Sequence, residues 1–287
     1  MNSNVFDLDA LRGWIERAEA TGNRLKASGL GVHGFKPFYI NVRAFQQNYK
    51  ELMVLGINPG GDSQGESAEQ ACGYIQRILN PKGGPFCSIT SGENGEQAAE
   101  NQRYATRVRA YIGSILGWPQ PLSTDRRFTL VPLGNINPYR SPNIDSMDEL
   151  AWTTGINLGI ELLSMAQPRC LLLIGTGDGR SAWGVIRNLI LEKPTLVGRH
   201  DNQGVQEELL RAQKNIQVQG AKQCFLRWPN TGATTHVVAL AHPRVPISNA
   251  DYDRQLKALS NGFPEWKKIR LNDPYKLILP PVLIKKK

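Results

Sequence analysis

Four short apolar runs, at 51–57, 128–133, 170–175 and 236–241, constrain this chain more than any other feature. Each is too short to be a buried helix, and apolarity without alternation marks a strand covered on both faces. Between them lie stretches with apolar residues at helical spacing. Helices are expected over 7–28, 67–79, 96–116, 147–166, 181–191 and 250–260, with one more near 204–214. Strands that alternate with helices form parallel sheets wrapped by helices. The expected fold class is therefore α/β: a three-layer α/β/α sandwich around a central four-stranded, mainly parallel sheet. Pro132 sits inside the second run and is tolerated only towards a strand's end, because proline cannot donate to the ladder.

The 287 residues are read as a single domain over 1–287, with an N-terminal helical extension at 1–45 and an insertion at about 193–234. The stretch 31–50 is aromatic-rich and is read as irregular. A hydrophobic share of 40% supplies a full core. No stretch approaches the ~20 uninterrupted apolar residues of a membrane span. The first residues lack a basic segment followed by an apolar run, so a cytoplasmic protein is expected. Cys72, Cys87, Cys170 and Cys224 form no CxxC pair, which argues for buried thiols and no metal centre. The net charge of +9 is lopsided: residues 1–150 balance 15 basic against 15 acidic side chains, whereas 151–287 carry 19 against 10. This asymmetry suits a polyanionic partner, although a scattered, solubilising surface would read the same way.

Three of the four runs end in unusual polar punctuation. The first runs into Gly56-Ile57-Asn58-Pro59-Gly60-Gly61, the second into Asn135, and the fourth into His242-Pro243-Arg244. In a parallel sheet these ends share one edge, where open α/β sheets hold their ligands. The edge would bring together two amides and an imidazole with no close pair of carboxylates. The third run ends in Gly175-Thr176-Gly177-Asp178-Gly179, spaced GxGxG rather than GxGxxG, so no nucleotide cofactor is expected. Nor is any other cofactor, and no obligate protein partner is evident.

These motifs resemble those of the uracil-DNA glycosylase superfamily, its mismatch-specific and single-strand-selective branches above all. Gly56-Ile57-Asn58-Pro59-Gly60 looks like the water-binding motif, and Gly84-Pro85-Phe86 like the segment that supplies a stacking ring. Asn135, with Arg140-Ser141-Pro142 after it, resembles the strand-end Asn that reads the base, and His242-Pro243-Arg244 the His-Pro-Ser motif. The order agrees across roughly residues 50–250. The resemblance implies a glycosylase-like fold acting on DNA. Asn58 would position a water and His242 would donate to the departing base. Asn135, Phe86 and Gly60 would hold the flipped pyrimidine, and Arg244, Ile247, Arg140 and Ser141 would meet the DNA. Stacking on Phe86 is worth about 1–3 kcal/mol and one donor to the leaving anion about 2.7–4 kcal/mol.

Departures from the pattern shape the expectation. The members most active on uracil carry Asp at the place of Asn58, and an amide is no general base; Asp62 or Glu66 would have to serve instead, although loop carboxylates are usually only solvated. Gly60 stands where uracil-specific members place a Tyr that excludes substituents at C5 of the base, which implies a pocket open to 5-substituted pyrimidines. No lysine occupies a motif position, so the expected enzyme is a monofunctional glycosylase. Its substrate would be uracil or a bulky 5-modified cytosine or uracil, the latter in phage DNA. Plainer readings remain beside these: Asn58 and Asn135 as turn caps, Phe86 and Ile247 as core contacts, His242 as a buried structural histidine. Two other functions stay open, a DNA-binding module of the same fold without catalysis and a hydrolase of small nucleosides or nucleotides.

Overall fold

The computed structural model describes residues 8–37, 42–57, 82, 99–118, 126–197, 203, 207, 221–243, 246 and 248–274. The elements are α1 (Leu8–Ala27), β1 (Gly34–Phe35), α2 (Val42–Asn48), β2 (Leu52–Gly56), α3 (Ala99–Leu116), β3 (Leu133–Asn135), β4 (Tyr139–Arg140), α4 (Glu149–Ala166), β5 (Cys170–Ile174), α5 (Ala182–Glu192), β6 (Lys222–Arg227), β7 (Thr234–Leu240) and α6 (Asn249–Gly262). Short 3-10 turns cover Arg126–Leu130, Ile144–Ser146, Pro194–Val197 and Trp266–Lys268.

The sheet has five strands in the order β3-β2-β5-β7-β6. β3, β2, β5 and β7 run parallel, and β6 pairs antiparallel with β7. Every residue of β2 and of β5 is buried, as their unbroken apolar sequences require. One continuous core extends from Leu11 on α1 to Ile269 beyond α6.

The structure corrects the expected sheet in two places. The fifth strand, β6, lies inside the stretch read as an insertion. Its burial alternates, with Cys224 and Leu226 inside and Phe225 and Arg227 outside, so it lacks the continuous apolarity by which the other strands announce themselves. It turns into β7 through 228–233, where Gly232 takes φ +70° and Trp228 N–H donates to Ala233 O at 2.8 Å. The second run does not form a strand over 128–133. Arg126–Leu130 coils into a 3-10 turn, and the strand starts only at Leu133, after Pro132. Pro132 still takes part, since its carbonyl accepts from Val54 N–H at 2.8 Å.

The N-terminal extension is built into the body of the protein. Trp14 Nε1 donates to Leu158 O at 3.0 Å, Tyr139 Oη to Ala18 O at 3.1 Å, and Arg17 pairs with Glu161 at 2.5 Å. The stretch 31–50, read as irregular, contains α2 and the ribbon that pairs β1 with β4. Helices α1, α3, α4, α5 and α6 lie where apolar spacing places them. Asp148, Ser181 and Ser248 cap the last three with side-chain oxygens that accept from N–H groups of the first turn. The helix expected over 67–79 falls outside the described residues, as do the thiols of Cys72 and Cys87; of the helix expected near 204–214 only residue 207 is described, and it is helical.

Candidate active site

The site forms at the carboxyl edge of the parallel strands, where β2, β3, β5 and β7 all end. From β2 the chain continues to β3 on one side, and from β5 to β7 on the other. Such a reversal opens a crevice between the two central strands.

The ends of β2 and β3 stay zipped beyond the ladder. Ile136 N–H donates to Gly56 O at 2.9 Å and Asn137 N–H to Ile57 O at 2.8 Å. Asn137, fully buried, holds this segment in turn: its Oδ1 accepts from Tyr139 N–H at 3.0 Å and its Nδ2 faces Met147 Sδ at 3.4 Å. Helix α4 lies directly on the segment. Gly155 and Gly159, one turn apart, leave room for it, because a Cβ at either would overlap Asn137 Oδ1 or the Ile136 carbonyl.

Asn135 ends β3 with only 3% of its surface exposed. Its Nδ2 donates to Lys36 O at 3.3 Å and its backbone N–H to Pro37 O at 3.1 Å, which turns the amide towards Gly56. A Cβ on Gly56 would lie 3.0 Å from Asn135 Oδ1 and 3.5 Å from the hydroxyl of Tyr104. Gly56 thus leaves open the point where an amide oxygen and a phenol meet. The Tyr104 ring also packs against His242, with centroids 5.4 Å apart and planes at 38°. One turn along α3, Arg107 donates to the carbonyl of Pro243 and lays its guanidinium 5.2 Å from the ring centre of Tyr252 on α6. Asn135 and His242 are therefore brought to the same edge, linked through a tyrosine.

Tyr104 and Arg107 escape a reading by motif, because they sit within a helix rather than at a strand end. A signal does exist. Tyr104 falls four residues before Val108 and seven before Tyr111, on the same helical face, and a tyrosine there gives an otherwise apolar face a polar tip.

Arg140 and Ser141 stand at the end of β4 and just after it. Arg140 is paired with Gly34 in the β1–β4 ribbon, and Ser141 is fully buried, so its hydroxyl offers no surface to a phosphate. Of the remaining sequence candidates, Asn58, Gly60, Phe86, Arg244 and Ile247 lie outside the described residues, as do Asp62 and Glu66.

The loop after β5 is closed by its own contacts. Gly175 takes φ +126°, Ser181 Oγ donates to Gly177 O, and a Cβ on Gly184 would overlap the carbonyl of Gly179. Arg180 is occupied by the carbonyls of Ile144 and Met147 and by Glu149 at 2.5 Å. Asp178 accepts from Lys222 Nζ at 2.9 Å, and that hydrogen bond holds its carboxyl below the ordinary range. Burial pushes the Cys170 thiol up to about 12, far from nucleophilic at neutral pH. Among the described residues, no group of three or more His, Cys, Asp or Glu side chains is placed to hold a metal ion, and no helix is long and apolar enough to cross a membrane.

What the described part of the site offers is hydrogen-bonding chemistry from an amide and an imidazole around a glycine floor, with the Tyr104 ring packed against the imidazole. Such groups recognise a planar polar ring and stabilise developing charge. Compared with models of protein families and with curated proteins, the chain matches none.

Proposed function

We propose that this chain is a monofunctional DNA glycosylase with a glycosylase-like three-layer α/β/α sandwich, removing a modified or deaminated pyrimidine to leave an abasic site. The observation that carries the reading is the meeting of Asn135 and His242 at one sheet edge, at the strand ends where the motif resemblance expects a base reader and a leaving-group donor. In the reaction, the bond between C1′ and the base breaks and a water oxygen bonds to C1′. The base departs as an anion and takes up a proton released from the water. His242 donates to the base oxygen as charge builds there, Asn135 pairs with the base's polar edge, and Asn58 orients the water. By the resemblance, a Gly at position 60 in place of the excluding Tyr favours bulky 5-modified pyrimidines, such as those of phage DNA, over uracil alone.

The test is an abasic-site assay on uracil-containing, 5-hydroxymethylcytosine, glucosylated and unmodified DNA, single- and double-stranded, followed by alkali. Breaks at one base type, lost in Asn58→Ala and His242→Ala, are expected. Asn58 in place of a carboxylate favours the second reading, a binding module. Tight lesion binding without breaks on any substrate would establish that module instead. Cleavage of free nucleosides without DNA affinity would establish the small-molecule hydrolase.

A further inference from the structure

We propose that Tyr104, on helix α3, is the positioning residue of this site: its ring sets the orientation of His242, and Arg107 one turn later fixes the backbone that carries it. This inference rests on the glycosylase reading for its kinetic consequences, though not for its geometry.

Three independent contacts converge. The Tyr104 ring lies 5.4 Å from the His242 ring. Its hydroxyl reaches the open point above Gly56, beside Asn135 Oδ1. Arg107, on the adjoining turn of α3, donates to the carbonyl of Pro243, the residue after His242. His242, two residues past the end of β7, sits on a short connection. Here one helix grips both the ring and the peptide unit that follows it. The helix is itself anchored on α6, through Arg107 on Tyr252 and through Tyr111, whose ring centre is 5.9 Å from that of Tyr252.

A tyrosine that only filled the core would be expected to sink fully. Tyr104 is half-buried, and its polar end points to a glycine at the crevice. The consequence is chemical. A donor to a leaving group acts only along a narrow line, and a displacement near 1 Å can cost about 10²-fold in rate. Tyr104 therefore affects the rate through His242 without touching the reacting atoms.

The experiment uses the full chain with Tyr104→Leu, Tyr104→Phe and Arg107→Met. Two readouts are taken: single-turnover base excision with DNA affinity, and the His242 imidazole signal by NMR, assigned with His242→Gln among only four histidines. Tyr104→Leu is expected to lower the excision rate by about 10–100-fold with DNA affinity changed by less than about threefold, and to move the His242 signal as the ring current is lost. Tyr104→Phe, which keeps the ring, is expected to restore most of the rate and the signal. Arg107→Met is expected to move the same signal with a smaller loss of rate. An unmoved His242 signal in Tyr104→Leu overturns the proposal, as does a Phe variant no better than Leu. If Tyr104→Leu proves too unstable to study, a Phe variant that loses the signal and the rate overturns it equally. A wild-type chain that excises no base sinks the glycosylase reading, whereas a moved His242 signal in that same chain leaves the coupling between Tyr104 and His242 standing.

Discussion

Gly56 is constrained by its neighbours rather than by its backbone. A methyl group there would press on Asn135 Oδ1 at 3.0 Å and approach the Tyr104 hydroxyl at 3.5 Å. Gly56→Ala is expected to turn the amide and lower base excision by about tenfold, equivalent to about 1.4 kcal/mol of transition-state binding. A thermal scan on the same sample should show only a small change in midpoint. His236 offers a test of a different kind, far from the site. Its Nδ1 accepts from Trp266 Nε1 at 2.9 Å, Nε2 lies 3.2 Å from Gln223 Oε1, and the ring stacks under Phe225 at 4.5 Å. Since indole N–H only donates, Nδ1 carries no proton, and the approach of Glu265 at 3.5 Å is not an ion pair in this arrangement. Burial lowers the His236 pKa from its ordinary 6.5, outweighing the opposite pull of Glu265. The unfolded chain therefore binds a proton near pH 6.5 that the folded chain resists. This contribution to stability is complete above that pH and is lost as pH falls towards the lower folded value. Thermal midpoints read from pH 8 to pH 5 should decline below about 6.5. His236→Leu should flatten that decline while lowering the plateau by about 1–3 kcal/mol, because Trp266 is left without an acceptor.

Helix α4 decides how the strand end that carries Asn135 is held. Gly155 and Gly159 leave a flat stripe on which 136–137 rests, and this contact fixes the angle at which β3 leaves the sheet. Gly159→Ala is expected to overpack the contact by about 1–3 kcal/mol or more, since backbone rather than a flexible side chain stands in the way. Chemical denaturation should register that loss, and an unchanged midpoint would remove α4 from this role. The same helix shows why apolar spacing reads helices well and site geometry poorly. Its span follows from Ala151, Leu162, Leu163 and Ala166 at buried positions, and its start from Asp148. Nothing in that pattern says what the glycines face. Likewise, α3 is legible from Val108, Tyr111, Ile112 and Ile115, whereas His242 and Pro243, which Tyr104 and Arg107 meet, are more than a hundred residues further along the chain.

For the molecule as a whole, the +9 charge bears on the proposed partner. A chain that contacts DNA phosphates through several basic residues should lose affinity steeply with salt, by about 0.9 in log–log slope for each phosphate neutralised. Binding to a short duplex measured from 50 to 300 mM salt is expected to give a slope of several. A slope near zero would argue for a small-molecule substrate. The excess of positive charge falls in residues 151–287, which include β7 and the His242 connection, whereas β2, β3 and α3 belong to the balanced half. The crevice is thus assembled from both halves of the chain.

Continuous apolarity determined β2, β5 and β7 from the sequence alone, because a strand covered on both faces is made mostly of apolar residues, and it determined their direction, because the helices between them leave a parallel crossover as the economical path. Polar residues that follow the runs, Asn135 and His242, marked the sheet edge to which both are brought. Tertiary structure alone decided the rest. It showed β6 as a fifth, half-exposed strand, moved β3 beyond Pro132, and packed α1 and β1 against the core. It also sank Ser141 while leaving Tyr104 at the crevice. Each of these depends on which surfaces meet across large separations in sequence, and local spacing carries no record of such meetings.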